Sequence, residues 1–305
     1  RSMNDQASSL RRIVGENTTT SDSNRVKVLC ITSGKGGVGK TNISINLSIA
    51  LASMGRKVFL LDADLGLANI DVLLNLTPMY TLEHVLSGEK SINDIILDGP
   101  GDIKILPASS GVVEMTEMDR DQQVHLFRKL GEIEREIDYL VIDTGAGIAP
   151  HTLRFVANSD EVLIVATPEP SSMTDAYSLI KIMVTRYQIS KFRVIANNVV
   201  SPAEGRQVYE RLQKVTRDFL KTEIDFMGHV LKDPLLVKSV RTQRPLLKSF
   251  PEAPASRCLV SIAREIEKIH QAGDAEISEN VEQPDKVNGQ RTPSFWERLI
   301  SWRTS

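Results

Sequence analysis

The sequence predicts an α/β fold: a doubly wound, mostly parallel sheet in a single domain, with flexible segments at both ends. Three observations carry that prediction. Apolar runs of strand length alternate with stretches of helical spacing at least five times. Those runs are near-continuously apolar, as in strands covered on both faces. The first run ends in a glycine-rich loop that leads directly into a helix, Ser33-Gly34-Lys35-Gly36-Gly37-Val38-Gly39-Lys40-Thr41.

That loop organises the chain. Val26 to Thr32, rich in β-branched residues, reads as the first strand, and Ile43 to Met54 as the helix after it. Gly34, Gly39, Lys40 and Thr41 satisfy the spacing G-x-x-x-x-G-K-[ST]. Glycines let backbone N–H groups close around phosphate oxygens, and the helix N-terminus adds positive potential. Lys40 is expected to reach the β- and γ-phosphates, and Thr41 to offer its hydroxyl to Mg²⁺.

The remaining elements follow in order. Lys57 to Ala63 is the second strand, ending in Asp62-x-Asp64, with a helix expected from near Ile70. An aspartate at the carboxyl end of a strand sits at the edge of the crevice where α/β sheets bind ligands. Leu82 to Leu86 and Ile92 to Leu97 read as short helices, and Ile103 to Leu106 as a strand. The acidic run Glu114 to Asp121 reads as a solvated helix start. Asp138 to Asp143 is an apolar strand closing on an aspartate, the Walker B shape, followed by Thr144-Gly145-Ala146-Gly147. Strands at Glu161 to Ala166, Phe192 to Ala196 and Phe226 to Val230 are separated by helices at Met173 to Tyr187 and Gly205 to Lys221. Ala255 to Ile269 is the closing helix, with Leu259, Ile262, Ala263 and Ile266 on one face. The expected organisation is a terminal segment and linker over 1–25, one nucleotide domain over 26–270, and a linker with an amphipathic helix over 271–305.

The string Lys35 to Thr41, with a lysine directly after Gly34, resembles the deviant Walker A loop of the MinD/ParA ATPases, within the signal-recognition-particle-like (SIMIBI) nucleotide hydrolases. The resemblance implies an ATPase that binds ATP or ADP with Mg²⁺ through Gly34, Gly36, Gly37, Val38, Gly39, Lys40 and Thr41. It implies that Lys35 contacts phosphates across a nucleotide-sandwiched homodimer. Asn42 departs from the family's Thr or Ser, and its amide can replace the missing hydroxyl as a donor. By the same resemblance Asp64 positions the attacking water, Asp62 supports it with Asn69 nearby, and Thr41, Asp64 and Asp143 surround the metal. Thr144 to Ile148 resembles switch II, where glycines let the loop move. Asn197 would contact adenine, and the run from Asp233-Pro234 would pack over the base.

The termini narrow the resemblance. Asp5, Gln6, Ala7, Leu10 and Arg11 spell DQAxxLR, similar to the activator motif of flagellar number regulators (FlhG, YlxH, FleN). There the motif stimulates the signal-recognition-type GTPase FlhF. Bacterial flagellum biogenesis is then the expected process, with flagellar C-ring proteins or a transcription regulator as further candidate partners. At the other end, a polar stretch from Gln271 to Thr292 reads as a linker. Beyond it Phe295, Trp296, Leu299, Ile300 and Trp302 gather on one helical side, with Ser294 as a cap. This aromatic end suits a membrane interface, and two copies in a dimer would add avidity.

Composition bounds the alternatives. Net charge is −2, which argues against a general nucleic-acid surface and so against a ParA-like partitioning ATPase on DNA, the main rival reading. Cys30 and Cys258 are too far apart to share a metal spacing, which disfavours an iron–sulfur carrier of the same fold. No second substrate site for a ligase is legible. No 18-residue apolar run and no signal peptide are found, Arg1-Ser2 reads as an expression remnant before Met3, and a cytoplasmic protein reversibly at the inner face of the cell membrane is expected.

Overall fold

The computed structural model describes residues 26–64, 70–107, 119–280 and 293–301. Its elements are β1 (Lys27–Thr32), α1 (Lys40–Ser53), β2 (Val58–Ala63), α2 (Ile70–Leu73), α3 (Leu82–Leu86), β3 (Leu97–Asp98), β4 (Lys104–Leu106), α4 (Arg120–Glu134), β5 (Tyr139–Thr144) and α5 (Pro150–Asn158). They continue with β6 (Glu161–Ala166), α6 (Pro170–Tyr187), β7 (Arg193–Val199), α7 (Pro202–Leu220), β8 (Asp225–Leu231), α8 (Pro234–Arg241), α9 (Leu246–Ser249), α10 (Pro254–Asn280) and α11 (Phe295–Ser301).

The strands form one eight-stranded sheet in the order β3-β4-β2-β5-β1-β6-β7-β8. Every pairing is parallel except β3 with β4. β1 lies between β5 and β6, so the loop after it opens where the chain's path reverses across the sheet. That is where α/β sheets bind ligands. Successive β1 side chains point to opposite faces. Leu29 and Ile31 pack under α1 and α10. Val28 and Cys30 enter the two clusters beneath α4, α5, α6 and α7. Burial on both faces is why the strands read as unbroken apolar runs. It also pushes the Cys30 thiol up to about 12, as suits a packed and inert cysteine.

Several elements depart from the expectations. Ile92–Ile95 is a single 3₁₀ turn, after which Leu97 and Asp98 pair antiparallel with β4. Helices α5 and α8 were not expected. In α8 Asp233 is the N-cap, accepting from Leu235 N–H at 2.9 Å, while its other oxygen accepts from Ala255 N–H at 3.1 Å. Asp233-Pro234 is therefore a helix start. Helix α10 runs on to Asn280, through residues whose polarity predicts a linker. Arg56, Tyr139 and Glu267 pin it to the sheet: Arg56 donates to Glu267 at 2.6 Å, and Tyr139 at 2.6 Å.

The terminal helix α11, expected at a membrane, rests here against the chain's own domain. Phe295, Trp296 and Leu299 are buried in the chain's own core, beside Leu126, Phe127, Leu130 and Phe155. Trp296 stacks on Phe127 at 5.7 Å between ring centroids, and Phe295 on Phe155 at 6.4 Å. Ser294 and Glu297 close the helix start reciprocally, each backbone N–H donating to the other's side chain. Arg154 of α5 donates to the Leu299 carbonyl, and Arg298 to the Asn158 carbonyl at 3.0 Å. The physical reason is that the domain offers a dry apolar groove, and each buried aromatic gains about 2–3 kcal/mol there. The Ile300 side chain and Trp302 lie outside the described residues, as do Asp5, Gln6, Ala7, Leu10 and Arg11. Among the described residues no helix is long and apolar enough to cross a membrane.

Candidate active site

The glycine loop joins β1 to α1 and uses its glycines differently. Gly37 (φ 75°) and Gly39 (φ 93°) occupy the left-handed region that side chains disfavour. Gly34 lies against α6 so closely that a Cβ would meet the Asp175 backbone at 2.0 Å. Gly36 and Gly37 are exposed, whereas Val38, Lys40 and Thr41 are buried. Lys40 is thus aimed inward at the head of α1. Asn42 is half-buried, and its carbonyl accepts from the Asn46 amide at 2.8 Å.

Two carboxylates lie side by side beneath the loop, because Asp62 in β2 and Asp143 in β5 are register partners. Ser44, one turn beyond Lys40, donates to Asp143 at 2.8 Å, and Thr41 also hydrogen-bonds it. Burial pushes Asp143 up to about 6, against the pull of those hydroxyls and of the Lys40 charge. Burial first, then the Asp143 charge, pushes Asp62 up to about 8. Asp62 accepts from Asp64 N–H at 3.1 Å and Ile70 N–H at 2.9 Å. It braces both ends of the segment 65–69, which includes Asn69 and lies outside the described residues.

Asp143 Oδ2 is buried with no hydrogen-bond partner. An orphaned carboxylate oxygen beside a threonine hydroxyl fits a hydrated Mg²⁺ that a nucleotide would bring. Among the described residues no group of three or more His, Cys, Asp or Glu forms a metal cage. A P-loop magnesium does not need one, since phosphates and water supply most of its ligands. Thr41 and Asp143 would hold it, and it would supply positive charge to neutralise charge developing on the phosphates.

Switch II lies close to the loop: Gly147 N–H donates to the Ser33 carbonyl at 2.8 Å. Asn197, at the end of β7, is buried and donates its amide to the Val38 carbonyl at 2.7 Å. It braces the loop here, a use that sequence reasoning did not anticipate. Lys35 is held within its own chain, 2.7 Å from Glu169 and 2.9 Å from the Ser171 hydroxyl. Glu169 and Ser171 were missed, because only the β1–β6 pairing brings the start of α6 to the loop. Ser44 was missed too, although its i, i+4 spacing from Lys40 put it on the same helix face.

Known proteins are similar to this chain in sequence and in fold. A family model described as "AAA domain" matches residues 26–194. The Antiactivator FleN of Pseudomonas aeruginosa is 44% identical over 79% of this chain and 86% of its own length. The Flagellum site-determining protein YlxH of Helicobacter pylori is 35% identical over 98% of this chain and 99% of its own. The solved septum site-determining protein MinD complexed with Mg-ADP, from Pyrococcus horikoshii, superposes with a TM-score of 0.62 at 25% identity. It covers 80% of this chain and 97% of that one.

Proposed function

This chain belongs to the MinD/ParA family of P-loop ATPases, and on that premise we propose that it is an ATP-driven switch setting flagellar number and placement. The observation that carries the reading is the loop itself. Lys40 and Thr41 face the orphaned Asp143 carboxylate, while a second lysine, Lys35, stands outside on the rim. The inner lysine serves the chain's own nucleotide. The outer one has the reach to serve a second copy.

In this reading backbone N–H groups of Gly34 to Gly39 cradle the phosphates, and Lys40 pairs with their oxygens. Thr41, Asp143 and Asp64 would hold the Mg²⁺. Asp64 orients the water that attacks the γ-phosphorus, giving ADP and inorganic phosphate. Asp62 holds Asp64 in place. Asn42 offers its amide near the α-phosphate, and Asn197, with the Asp233-Pro234 corner behind it, borders the base. Two chains close face to face on ATP, and hydrolysis separates them.

The partners follow from the relatives and from the termini. Asp5, Gln6, Ala7, Leu10 and Arg11 stimulate an FlhF-type GTPase. Relatives called antiactivator and site-determining protein support a transcription regulator and flagellar C-ring proteins as the other partners. The chain works in the cytoplasm and joins the inner face of the membrane when α11 leaves its groove, presenting Phe295, Trp296, Leu299, Ile300 and Trp302 to lipid.

Two measurements test this. Asp64→Ala should trap an ATP-dependent dimer in sedimentation; a chain that stays monomeric in ATP sinks the switch. A peptide covering Met3 to Asn17 should raise the GTPase rate of the cognate FlhF-like protein. No stimulation by peptide or full chain removes the flagellar GTPase from the reading.

A further inference from the structure

Helix α5 starts at Pro150, directly after switch II, and carries Thr152 in its first turn. Thr152 is fully buried, and its hydroxyl has no hydrogen-bond partner. The hydroxyls of Thr32 and Thr167 are buried without a partner too, but of the three only Thr152 is on a helix. Thr174, Ser178 and Thr185 on α6 each donate back to the carbonyl four residues earlier. Such back-bonding is the ordinary resting place of a helical hydroxyl. For Thr152 the carbonyl four residues earlier belongs to Ile148, ahead of the helix, so that resting place is not offered, and its unmade bond in the interior is a cost to folding.

The hydroxyl faces something specific. The position that a Cβ would take on Gly145 lies 3.4 Å from Thr152 Oγ1 and 3.1 Å from Asp64 Oδ1. Glycine at 145 therefore leaves open a space that both the Asp64 carboxylate and the buried hydroxyl border. A hydroxyl is a donor that can rotate to suit, and an ionised carboxylate is an acceptor.

We propose that Thr152 is a positioning residue for ATP hydrolysis. Its hydroxyl donates to the Asp64 carboxylate, directly or through one water in the gap beside Gly145. That bond fixes the carboxylate in the orientation that aligns the attacking water. It makes the arrangement depend on α5, which starts three residues after Gly147, so the hold on the carboxylate is tied to the seating of switch II. The proposal rests on the reading of Asp64 as the water-orienting group.

The test compares Thr152→Val, Thr152→Ser and Asp64→Ala in the full chain. Steady-state ATP hydrolysis, ATP-dependent dimerisation and thermal stability are measured for each. Valine keeps the shape and replaces an unpaired hydroxyl by a methyl, so thermal stability should hold or rise. The kcat of Thr152→Val should fall about tenfold, because small misplacements of a catalytic group are costly. KM and dimerisation should stay as in the unchanged protein, and Thr152→Ser should keep most of the rate. Three results overturn the proposal: unchanged kcat in Thr152→Val, a serine variant as slow as the valine one, or a loss of rate that tracks lost stability. If Asp64→Ala retains the full rate, the underlying reading of Asp64 fails as well. If Asp64→Ala is inactive and Thr152→Val is not, only the role of Thr152 falls.

Discussion

Lys35 and Glu169 form an ion pair within one chain, 2.7 Å between Nζ and Oε2, although they are 134 positions apart in sequence. The lysine that would serve a second copy is thus satisfied at home. Glu169 is largely exposed and Lys35 about a third exposed, so the pair is weak. Glu169→Gln should favour release of Lys35 and lower the ATP concentration for half-maximal dimerisation by about two- to fivefold. Sedimentation velocity across an ATP titration checks it. A rise in that concentration would mean that Glu169 acts in the dimer rather than against it.

Arg154 clamps the tail helix through the Leu299 carbonyl without belonging to its apolar face. Arg154→Ala should weaken the docked state while leaving Phe295 and Trp296 intact. Binding to anionic vesicles, followed by co-sedimentation, should rise about three- to tenfold, the size of one partly exposed charged hydrogen bond. Unchanged binding would mean that docking does not limit access to lipid.

Glu134, the last residue of α4, should make that docking pH-dependent. It lies at the start of α11, where Phe295 N–H donates to it at 3.1 Å while its other oxygen is buried without a partner. Burial raises its pKa, outweighing the Phe295 bond and the Arg298 charge, with Glu297 and Asp160 adding to the rise. A raised acid stabilises the docked state fully below its ordinary range, and that contribution fades as pH climbs through the raised value. Both tryptophans of the chain are in the tail, so fluorescence quenching should increase with pH. Glu134→Gln should flatten the profile and keep the tail docked; an unaltered profile assigns the effect elsewhere.

Glu267 behaves oppositely. Burial works to raise its pKa, yet bonds from Arg56 and Tyr139 outweigh it and hold the carboxyl low. Its stabilising contribution is present above the ordinary glutamate range and is lost as pH falls through the lowered value. Glu267→Ala should cost about 2 kcal/mol at neutral pH, since Tyr139 loses its acceptor. That corresponds to a melting point roughly 4–6 °C lower. The difference should shrink in acid, as thermal melts at two pH values will report.

The alternation of strands and helices was legible because each period is local. Val28 to Ile31 announces a buried strand with no knowledge of its neighbours, and Gly34 to Thr41 announces a phosphate loop by spacing alone. Helix α5 was not legible, because its start is masked by the glycines of switch II. Helix α8 was hidden within an apparent loop whose Asp233 proved to be a cap.

The sequence by itself determined the α/β class, the phosphate loop with Lys40 and Thr41 at its end, and the aspartates at the strand tips. These follow from backbone conformation and side-chain chemistry within a few residues. Only the tertiary structure decided which groups meet. It set Asp62 beside Asp143, gave Lys35 to Glu169, turned Asn197 onto Val38, and brought Thr152 and Asp64 to the same glycine, Gly145. It also decided where the tail rests in this structure. An amphipathic helix records only that one side seeks an apolar surface. Whether lipid or protein supplies it depends on a groove assembled from α4 and α5, well over a hundred residues away, and here that groove is filled by Phe295 and Trp296.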